Sequence, residues 1–255
     1  MPHPEIQVTL IQLDNYGPWT GTLGSDREHR LQILQSNLYS ALQQKFAERY
    51  GLVFFNRFDE MLAITNGIAL AEHEQIQQLL EERFPVTMSM AIGVGPNPFE
   101  AQLIASKLLQ QEGSAQSPTR SGVIACERTL SLDKSHVQVM HFDIDRITET
   151  LTDHASAYQT SLHVMSLYAE LMKRFKEHEA LIFFAGGDNF IGVANGLPTR
   201  EIESVIQEYR NRKVSLKCGI GIARTGRKAA ELAATNLDLI RKGNGNSPIL
   251  STTNL

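Results

Sequence analysis

Two short segments, His141–Asp145 (HFDID) and Ala185–Phe190 (AGGDNF), decide how the fold of this 255-residue chain is interpreted. The first ends a predicted strand, and the second is typical of a tight glycine turn between two further strands. Side chains two residues apart on a strand share a face, so Asp143 and Asp145 are expected to point the same way. A hairpin on the adjacent strand would bring Asp188 beside them. The sequence therefore predicts a group of carboxylates at one end of a β-sheet.

The elements around these segments recur in the first half of the chain. Each half shows a strand, a helix, a hairpin, a helix and a strand, followed by a trailing helix, which is the order of a βαββαβ unit. Asp14 and Asp59 are 45 residues apart (59 − 14), and so are Asp143 and Asp188 (188 − 143). The sequence thus predicts an α+β protein with two tandem ferredoxin-like, palm-like domains.

A segment rich in Ser, Thr, Gly and Pro separates the two halves and sets the expected boundaries. We expect an N-terminal domain over residues 1–115, a linker over 116–135 and a C-terminal domain over 136–255.

Composition excludes several classes of protein. The net charge of −4, from 24 Lys+Arg against 28 Asp+Glu, gives no broad positive surface for duplex nucleic acid. No apolar run approaches the roughly 18–20 residues needed to cross a bilayer, and the N-terminal sequence lacks the features of a signal peptide. We therefore expect a cytoplasmic protein with neither a membrane nor a nucleic acid as its partner.

The carboxylates are in a pattern that suits magnesium. Asp143, Asp188 and the backbone carbonyl of Ile144, completed by phosphate oxygens, would supply the octahedral oxygen shell that Mg²⁺ requires. Gly186 and Gly187 fit such a site because glycine tolerates φ > 0 and lets a polyphosphate approach the backbone closely. Zinc is disfavoured, since no further His or Cys lies at a convincing spacing.

These residues resemble those of a known group of enzymes. Phe142–Ile147 and Phe184–Phe190 are similar to the metal-binding strand and the signature hairpin of the palm-like nucleotide cyclases, namely the GGDEF diguanylate cyclases and the class III cyclases. In that group the first Asp of the strand and the acid at the third hairpin position bind two metal ions, which implies Asp143 and Asp188 here. Asn189 departs from the pattern, because the diguanylate cyclases carry a second acid there.

A second resemblance covers nearly the whole chain. The segments Ile11–Thr20, Phe55–Asp59, Ala63–Gly67, Thr150–Asp153 and Phe183–Phe190 resemble, in the same order, motifs of the GTP cyclohydrolase III family, an archaeal type with two palm-like domains in one chain. The resemblance implies a GTP hydrolase that uses Mg²⁺, opens the imidazole ring with water at C8 and releases pyrophosphate. The implied product is 2-amino-5-formylamino-6-(5-phosphoribosylamino)pyrimidin-4(3H)-one. The family likeness also implies two or more Mg²⁺ ions and a homo-oligomer, and it leaves a monovalent cation open.

Ring opening requires a water at C8 and a proton donor for the ring nitrogen. Four residues are candidate catalytic groups. Asp14 and Asn15 lie at the strand end expected to match that of Asp143, Asp59 lies at the matching hairpin position, and Asp145 lies beside the expected metal site.

Candidates for binding the substrate are aromatic, cationic and turn residues. An aromatic floor for the purine, bidentate contacts to phosphate, a backbone cradle at a helix start and amide hydrogen bonds are the roles considered. The residues are Tyr16 and Trp19, Arg57 and Arg224, Ile147 and Thr148 with Gly186 and Gly187, and Asn189. Core packing, surface ion pairs and ordinary turns are the alternatives.

A heptad pattern marks the long helix of the second half. Leu151, Ala155, Tyr158, Leu162, Met165, Ala169 and Met172 follow one another in steps of four and three. This stripe is expected to pack on its own sheet, with a contact between domains or subunits as the alternative. For function, a nucleotidyl cyclase and a catalytically silent nucleotide sensor remain the alternatives to a GTP hydrolase.

Overall fold

The computed structural model describes residues 4–145, 147, 151–212, 214–243 and 247–255. Thr148, a candidate for substrate binding, lies outside them. The chain divides into two compact units, one formed by residues 1–96 and 100–135 and the other by 97–99 and 136–255. No helix in the described ranges is long and apolar enough to cross a bilayer.

Unit 1 is built on a five-stranded sheet. The strands are β1 Ile6–Leu13, β2 Leu52–Arg57, β3 Glu60–Ile64, β4 Met88–Gly95 and β5 Ile124–Cys126, and the helices are α1 Tyr16–Gly21, α2 Glu28–Ala47, α3 Leu70–Glu81 and α4 Pro98–Gln111. The sheet order is β2-β3-β1-β4-β5, in which β5 runs parallel to β4. The first four strands have the ferredoxin-like order.

Unit 2 repeats the same arrangement. Its strands are β6 Val137–Ile144, β7 Leu181–Gly186, β8 Asn189–Ala194, β9 Leu216–Ala223 and β10 Ile249–Asn254, and its helices are α5 Ala157–Lys176, α6 Thr199–Asn211 and α7 Gly226–Arg241. The order β7-β8-β6-β9-β10 matches that of unit 1, and β10 is again parallel to its neighbour. The prediction of two tandem ferredoxin-like α+β domains is confirmed, with a fifth strand in each sheet that the sequence did not indicate.

Equivalent residues in the two units are shifted from the expected match. The Asp14 N–H donates to Thr87 O at 3.0 Å, and the Asp145 N–H donates to Ser215 O at 2.9 Å. Asp14 therefore corresponds to Asp145, and the expected match with Asp143 is wrong. The equal spacing misled because the connection from strand end to hairpin acid is two residues longer in unit 1, 45 (59 − 14) against 43 (188 − 145).

The residue that corresponds to Asp143 in unit 1 is Gln12. In the sheet registers Gln12 lies opposite Glu60, and Asp143 lies opposite Asn189. Unit 1 therefore has an amide where unit 2 has the first metal-binding candidate.

Asp14 is a buried anchor. Its side chain is 1% exposed. Its Oδ1 accepts hydrogen bonds from Ser89 Oγ at 2.6 Å and Arg120 Nε at 3.2 Å, and its Oδ2 accepts from the Gly122 N–H at 2.9 Å and Thr87 Oγ1 at 3.1 Å. Four donors saturate the carboxylate. The structure therefore does not support a role for Asp14 on the substrate.

The segment 116–135, expected to be a linker, is packed into unit 1. It contributes β5, and its Arg120 also donates to Gln12 Oε1 at 2.8 Å and to Gly113 O at 3.2 Å. The apolar residues of β5 were too few for a strand to be recognised from sequence periodicity.

Replacing Arg120 by Ala should destabilise unit 1 by about 3 kcal/mol or more, because Asp14 would keep a buried charge without its counter-ion. The only tryptophan of the chain, Trp19, packs against the core of unit 1, so urea unfolding followed by tryptophan fluorescence measures this unit. Arg128→Ala, which removes an exposed ion pair with Glu5, is the control and should cost at most about 1 kcal/mol. Equal effects of the two substitutions would contradict the anchor.

A second buried network in unit 1 depends on an uncharged histidine. His73 is fully buried; its Nδ1–H donates to Ala69 O at 2.9 Å, so its Nε2 accepts from Thr9 Oγ1, also at 2.9 Å. Burial lowers the pKa of His73 below its ordinary value of 6.5.

Unit 1 should therefore lose stability in acid. Below pH about 6.5 the unfolded chain binds a proton that folded His73 does not, so the free energy of unfolding falls as pH falls, by up to about 1.4 kcal/mol per pH unit from this group. Urea titrations at pH 7.5 and 5.5 should show a smaller loss for His73→Gln than for the wild type. His29→Gln, at an exposed position, should retain the wild-type loss, and an undiminished loss in His73→Gln would refute the assignment.

Helix α5 presents a different face to its sheet than the heptad predicted. The buried residues are Val164, Leu167, Leu171 and Phe175. Tyr158 is 81% exposed and Leu162 61%, and Met165 and Met172 are also exposed. The expectation that the heptad stripe packs on its own sheet is wrong, because a neighbouring stripe of the same helix fills that role.

Helix α7 lies directly on the sheet of unit 2. A Cβ on Gly219 would come within 2.1 Å of Ala233 O, and one on Gly221 within 2.0 Å of Ala229 O. Gly219 pairs with His141, so α7 crosses the face of β6 that carries His141 and Asp143. The two glycines thereby bring the end of α7 to the end of β6.

Candidate functional site

The candidate site lies where β6 ends beside the β7–β8 hairpin. Phe142 and Ile144 belong to the hydrophobic core of unit 2, so Asp143 points to the opposite face, as predicted. The Ile144 N–H approaches Asp188 O at 3.4 Å, which joins the strand end to the hairpin. Asp143, near the end of β6, and Asp188, in the turn of the adjacent hairpin, are therefore at the same end of the sheet.

Glycine is required in the hairpin for its backbone and not for lack of space. Gly186 has φ +107° and Gly187 φ +60°, and a Cβ at either position would have no neighbour within 4 Å. The register shifts between Phe184 and Gly186, as it does between Phe55 and Arg57 in unit 1. This bulge directs the turn and sets the position of Asp188.

Asp188 is in an unfavourable electrostatic environment. Burial is the main cause that raises the pKa of its carboxyl group, and the charge of Asp143 raises it further. Asn189 Nδ2 donates to Asp188 Oδ1 at 2.8 Å. An acid at position 189 would add another negative charge here and could not make this donation when ionised.

Arg241, which the sequence analysis missed, is the cation of the site. Its Nη2 donates to Asp143 Oδ1 at 2.5 Å and its Nε to Oδ2 at 3.4 Å, and Nη2 also lies 3.1 Å from Asn189 Oδ1. The hydrogen bond with Asp143 raises the pKa of Arg241. His141 Nε2 also lies 3.1 Å from Asn189 Oδ1, and because that oxygen is an acceptor, Nε2 carries the ring proton. Burial lowers the pKa of the His141 ring. The sequence signal that could have pointed to Arg241 was its position as a basic residue in the last turn of α7.

Asp145 and Lys217 form an ion pair next to this cluster. Their Oδ1 and Nζ atoms are 2.7 Å apart, and both side chains are about one quarter exposed (26% and 25%). Lys217 pairs with Asp143 in the sheet register, so its side chain starts on the same face. In unit 1 the corresponding pair is the buried one of Asp14 and Ser89.

A cavity of about 370 Å³ adjoins the hairpin. It is lined by Ile147, Thr152, Thr160, Ser161, Val164, Met165, Phe184, Gly187 and Asp188. Among the described residues, Thr160 Oγ1 is buried without a hydrogen-bond partner. Apolar side chains and polar groups contribute about equally to its lining, so the cavity offers both apolar contact and hydrogen bonds to a small molecule.

The donor set fits magnesium better than a transition metal. No group of three or more His, Cys, Asp or Glu in the described ranges could hold a metal ion. Asp143, Asp188 and the carbonyl of Ile144 would leave positions for water and phosphate, which is how Mg²⁺ is usually bound. Burial and, to a smaller extent, the charge of Asp143 raise the pKa of Asp188, and a bound cation would favour the ionised form of both carboxylates.

Arg224 does not join this group. It follows β9, whose end pairs with Val137 at the start of β6, whereas Asp143 lies near the other end. Eight residues of strand place Arg224 roughly 20 Å or more from the hairpin. The arginine that reaches the carboxylates is Arg241, at the opposite end of α7.

Tyr16, Trp19 and Arg57 lie in unit 1 and have contacts within that unit. The Tyr16 and Trp19 rings stack at 5.9 Å between centroids and pack on the core, and Arg57 makes ion pairs with Asp59 and Glu60 at 3.5 and 3.1 Å. Burial raises the pKa of Tyr16, with a smaller contribution from Asp59. These contacts agree with the packing and ion-pair alternatives.

Asn15 remains a candidate for a ligand contact. Its backbone is left-handed, with φ 48°, and its Oδ1 is buried without a hydrogen-bond partner among the described residues. Its N–H donates to Ala115 O at 2.7 Å.

Comparison with known proteins identifies the family. The model of the family described as GTP cyclohydrolase III matches residues 8–254. The chain belongs to the GTP cyclohydrolase III family. The resemblance found in the sequence and the expectation of an enzyme are thereby confirmed.

Similar proteins named GTP cyclohydrolase III come from several archaea. The protein of Methanothermobacter thermautotrophicus is 48% identical over 93% of this chain and 95% of its own length, and that of Methanocaldococcus jannaschii is 45% identical over 92% and 88%. Among solved structures, the GGDEF domain of DgcB from Caulobacter crescentus in complex with c-di-GMP aligns with 46% of this chain and 78% of its own, at 15% identity and a TM-score of 0.39.

The two hairpin glycines should differ in their tolerance of alanine. Gly187→Ala should destabilise unit 2 by about 1 kcal/mol, the cost of a left-handed non-glycine residue. Gly186→Ala should cost about 2–3 kcal/mol, because φ +107° lies outside the left-handed region open to alanine. Urea unfolding followed by circular dichroism measures both. Since neither Cβ meets a neighbour, equal costs would contradict the backbone explanation.

Proposed function

We propose that the chain binds GTP as a magnesium complex at the unit 2 hairpin, opens the imidazole ring with water at C8 and releases pyrophosphate. The product would be 2-amino-5-formylamino-6-(5-phosphoribosylamino)pyrimidin-4(3H)-one. One observation carries the proposal: Asp143 ends a strand beside the hairpin turn that holds Asp188, and Asp188 lines a cavity, in a chain whose relatives at 40–48% identity are named GTP cyclohydrolase III.

Asp143, Asp188 and the Ile144 carbonyl would hold magnesium, in two or more ions, and the need for a monovalent cation is left open. Bound Mg²⁺ would neutralise charge on the phosphate oxygens and lower the pKa of a bound water. The space around Gly186 and Gly187 is open, since a Cβ at either position would have no neighbour within 4 Å. This open space supports the close approach of a polyphosphate to the turn.

The cavity beside Asp188 is the proposed place of the guanine base. Its apolar lining, including Val164, Met165 and Phe184, suits the faces of a purine, and the unpaired Thr160 hydroxyl offers one donor and one acceptor to the base edge. A base in this cavity would lie next to the phosphates at the hairpin.

Proton donation to the ring nitrogen is assigned to the Asp145–Lys217 pair. Lys217 Nζ lies 2.7 Å from Asp145 Oδ1, and Lys217 is opposite Asp143 in the sheet register. Lysine is one of the side chains that act as general acids, and the ion pair with Asp145 fixes the position of the ammonium group. The exposed apolar stripe of α5 supports a homo-oligomer as the working form.

One incubation with GTP and Mg²⁺ tests the proposal against its alternatives. The expected products are a formylamino-pyrimidine, monitored by the loss of guanine absorbance, and pyrophosphate, measured by ³¹P NMR. A cyclic or dinucleotide product with pyrophosphate would indicate a nucleotidyl cyclase, and unchanged GTP with metal-dependent binding would indicate a sensor.

Asp143→Asn and Asp188→Asn should each lower GTP turnover at least about 100-fold, because metal stabilisation of the transition state is worth several kcal/mol. Both variants should remain folded by circular dichroism. Glu231→Gln, which removes an exposed carboxylate paired with Lys228, is the control and should keep wild-type turnover. Full activity in either Asn variant would exclude the assigned metal site.

A further inference from the structure

We propose that Arg241 is an internal counter-cation, which holds Asp143 in the metal-free protein and must release it before a divalent cation binds. The consequence is that metal and polyphosphate bind cooperatively. This inference rests on the proposed function, since it describes how the same site is loaded.

The first argument is direct competition for the same atoms. The guanidinium group faces both oxygens of Asp143, Nη2 at 2.5 Å from Oδ1 and Nε at 3.4 Å from Oδ2. Because Nη2 also contacts Asn189 of the hairpin, the guanidinium lies on the side of Asp143 that faces the hairpin, where a cation shared with Asp188 would bind. Arginine and such a cation therefore compete for the same oxygen lone pairs.

The second argument is exposure. The side chain of Arg241 is 39% exposed, whereas that of Arg120, which holds Asp14 in unit 1, is 2% exposed. Arg120 also donates to Gln12 and Gly113, which fixes it in the interior. The guanidinium of Arg241 can exchange its own hydrogen bonds for water, whereas the carboxylate of Asp143, whose side chain is 12% exposed, then needs another cation in its place. Arg120 is therefore held at Asp14, whereas Arg241 can move away from Asp143.

The third argument is charge. Without metal, Asp143, Asp188 and Asp238 face the single guanidinium of Arg241, which leaves this group electronegative and repels phosphate. A divalent cation offsets that negative charge and releases the guanidinium from Asp143, and its planar fork can then bind phosphate oxygens bidentately. Phosphate then stabilises the released arginine, and the released arginine favours the metal. Two ligands that shift one equilibrium in the same direction must show reciprocal coupling.

The test measures Mn²⁺ binding without turnover. Free Mn²⁺ is followed by EPR in titrations of the full-length protein, first alone and then with inorganic triphosphate. Arg241→Gln should bind Mn²⁺ about fivefold more tightly than the wild type when triphosphate is absent, because the competing cation is gone. Triphosphate should tighten Mn²⁺ binding more in the wild type than in Arg241→Gln.

Further variants locate the effect. Asp143→Asn should abolish this Mn²⁺ site with or without Arg241→Gln, and Arg212→Gln, which breaks an exposed pair with Glu170, should match the wild type. If Arg241→Gln fails to fold, Arg241→Lys replaces the two-pronged contact with a single one and should tighten Mn²⁺ binding by a smaller factor. Mn²⁺ affinity equal to or weaker than that of the wild type in the folded variant would overturn the proposal. Absence of GTP turnover by the wild type would instead overturn the proposed function and leave the Mn²⁺ comparison intact.

Discussion

The partial burial of two carboxylates at one end of the unit 2 sheet is the constraint on which the site depends. Asp143 is placed by β6 and Asp188 by the glycine turn; burial raises the pKa of Asp188, and the charge of Asp143 adds to this effect. Positive charge beside such a pair favours its ionised form. Arg241 supplies that charge in the metal-free chain, and Asn189 connects the three groups through hydrogen bonds.

The two units show how one framework accommodates different polar chemistry. At the end of the first strand both carry an aspartate, but Asp14 is saturated by four donors whereas Asp145 meets Lys217 at a partly exposed edge. Two residues before that aspartate, unit 1 has Gln12 where unit 2 has Asp143. In unit 1 these polar side chains bind segment 116–135, whereas in unit 2 the corresponding side chains remain accessible to a ligand.

The architecture, and the placement of Asp143 beside the hairpin that carries Asp188, could be predicted from the sequence because both follow from local patterns. Strand alternation, the glycine turn and the recurrence of elements are all readable within a few residues of Asp143 and Asp188. Arg241 was missed because its place depends on α7 crossing the sheet, 98 residues along the chain from Asp143. The heptad stripe of α5 failed for a related reason, since periodicity does not say which of two adjacent stripes meets the sheet. Equal spacing of 45 residues also failed, because a connection can lengthen while the strand registers stay fixed.

The contact of α7 with the sheet has a consequence for how fast the site can respond. Gly219 and Gly221 leave no gap between helix backbone and strand, so the helix cannot slide or tilt without a clash. Any departure of Arg241 from Asp143 must then be made by rotations about its own side-chain bonds. Such rotamer changes in exposed residues take picoseconds to nanoseconds. Cation entry would therefore be set by diffusion and dehydration of the ion, with no slow rearrangement of the fold in its path.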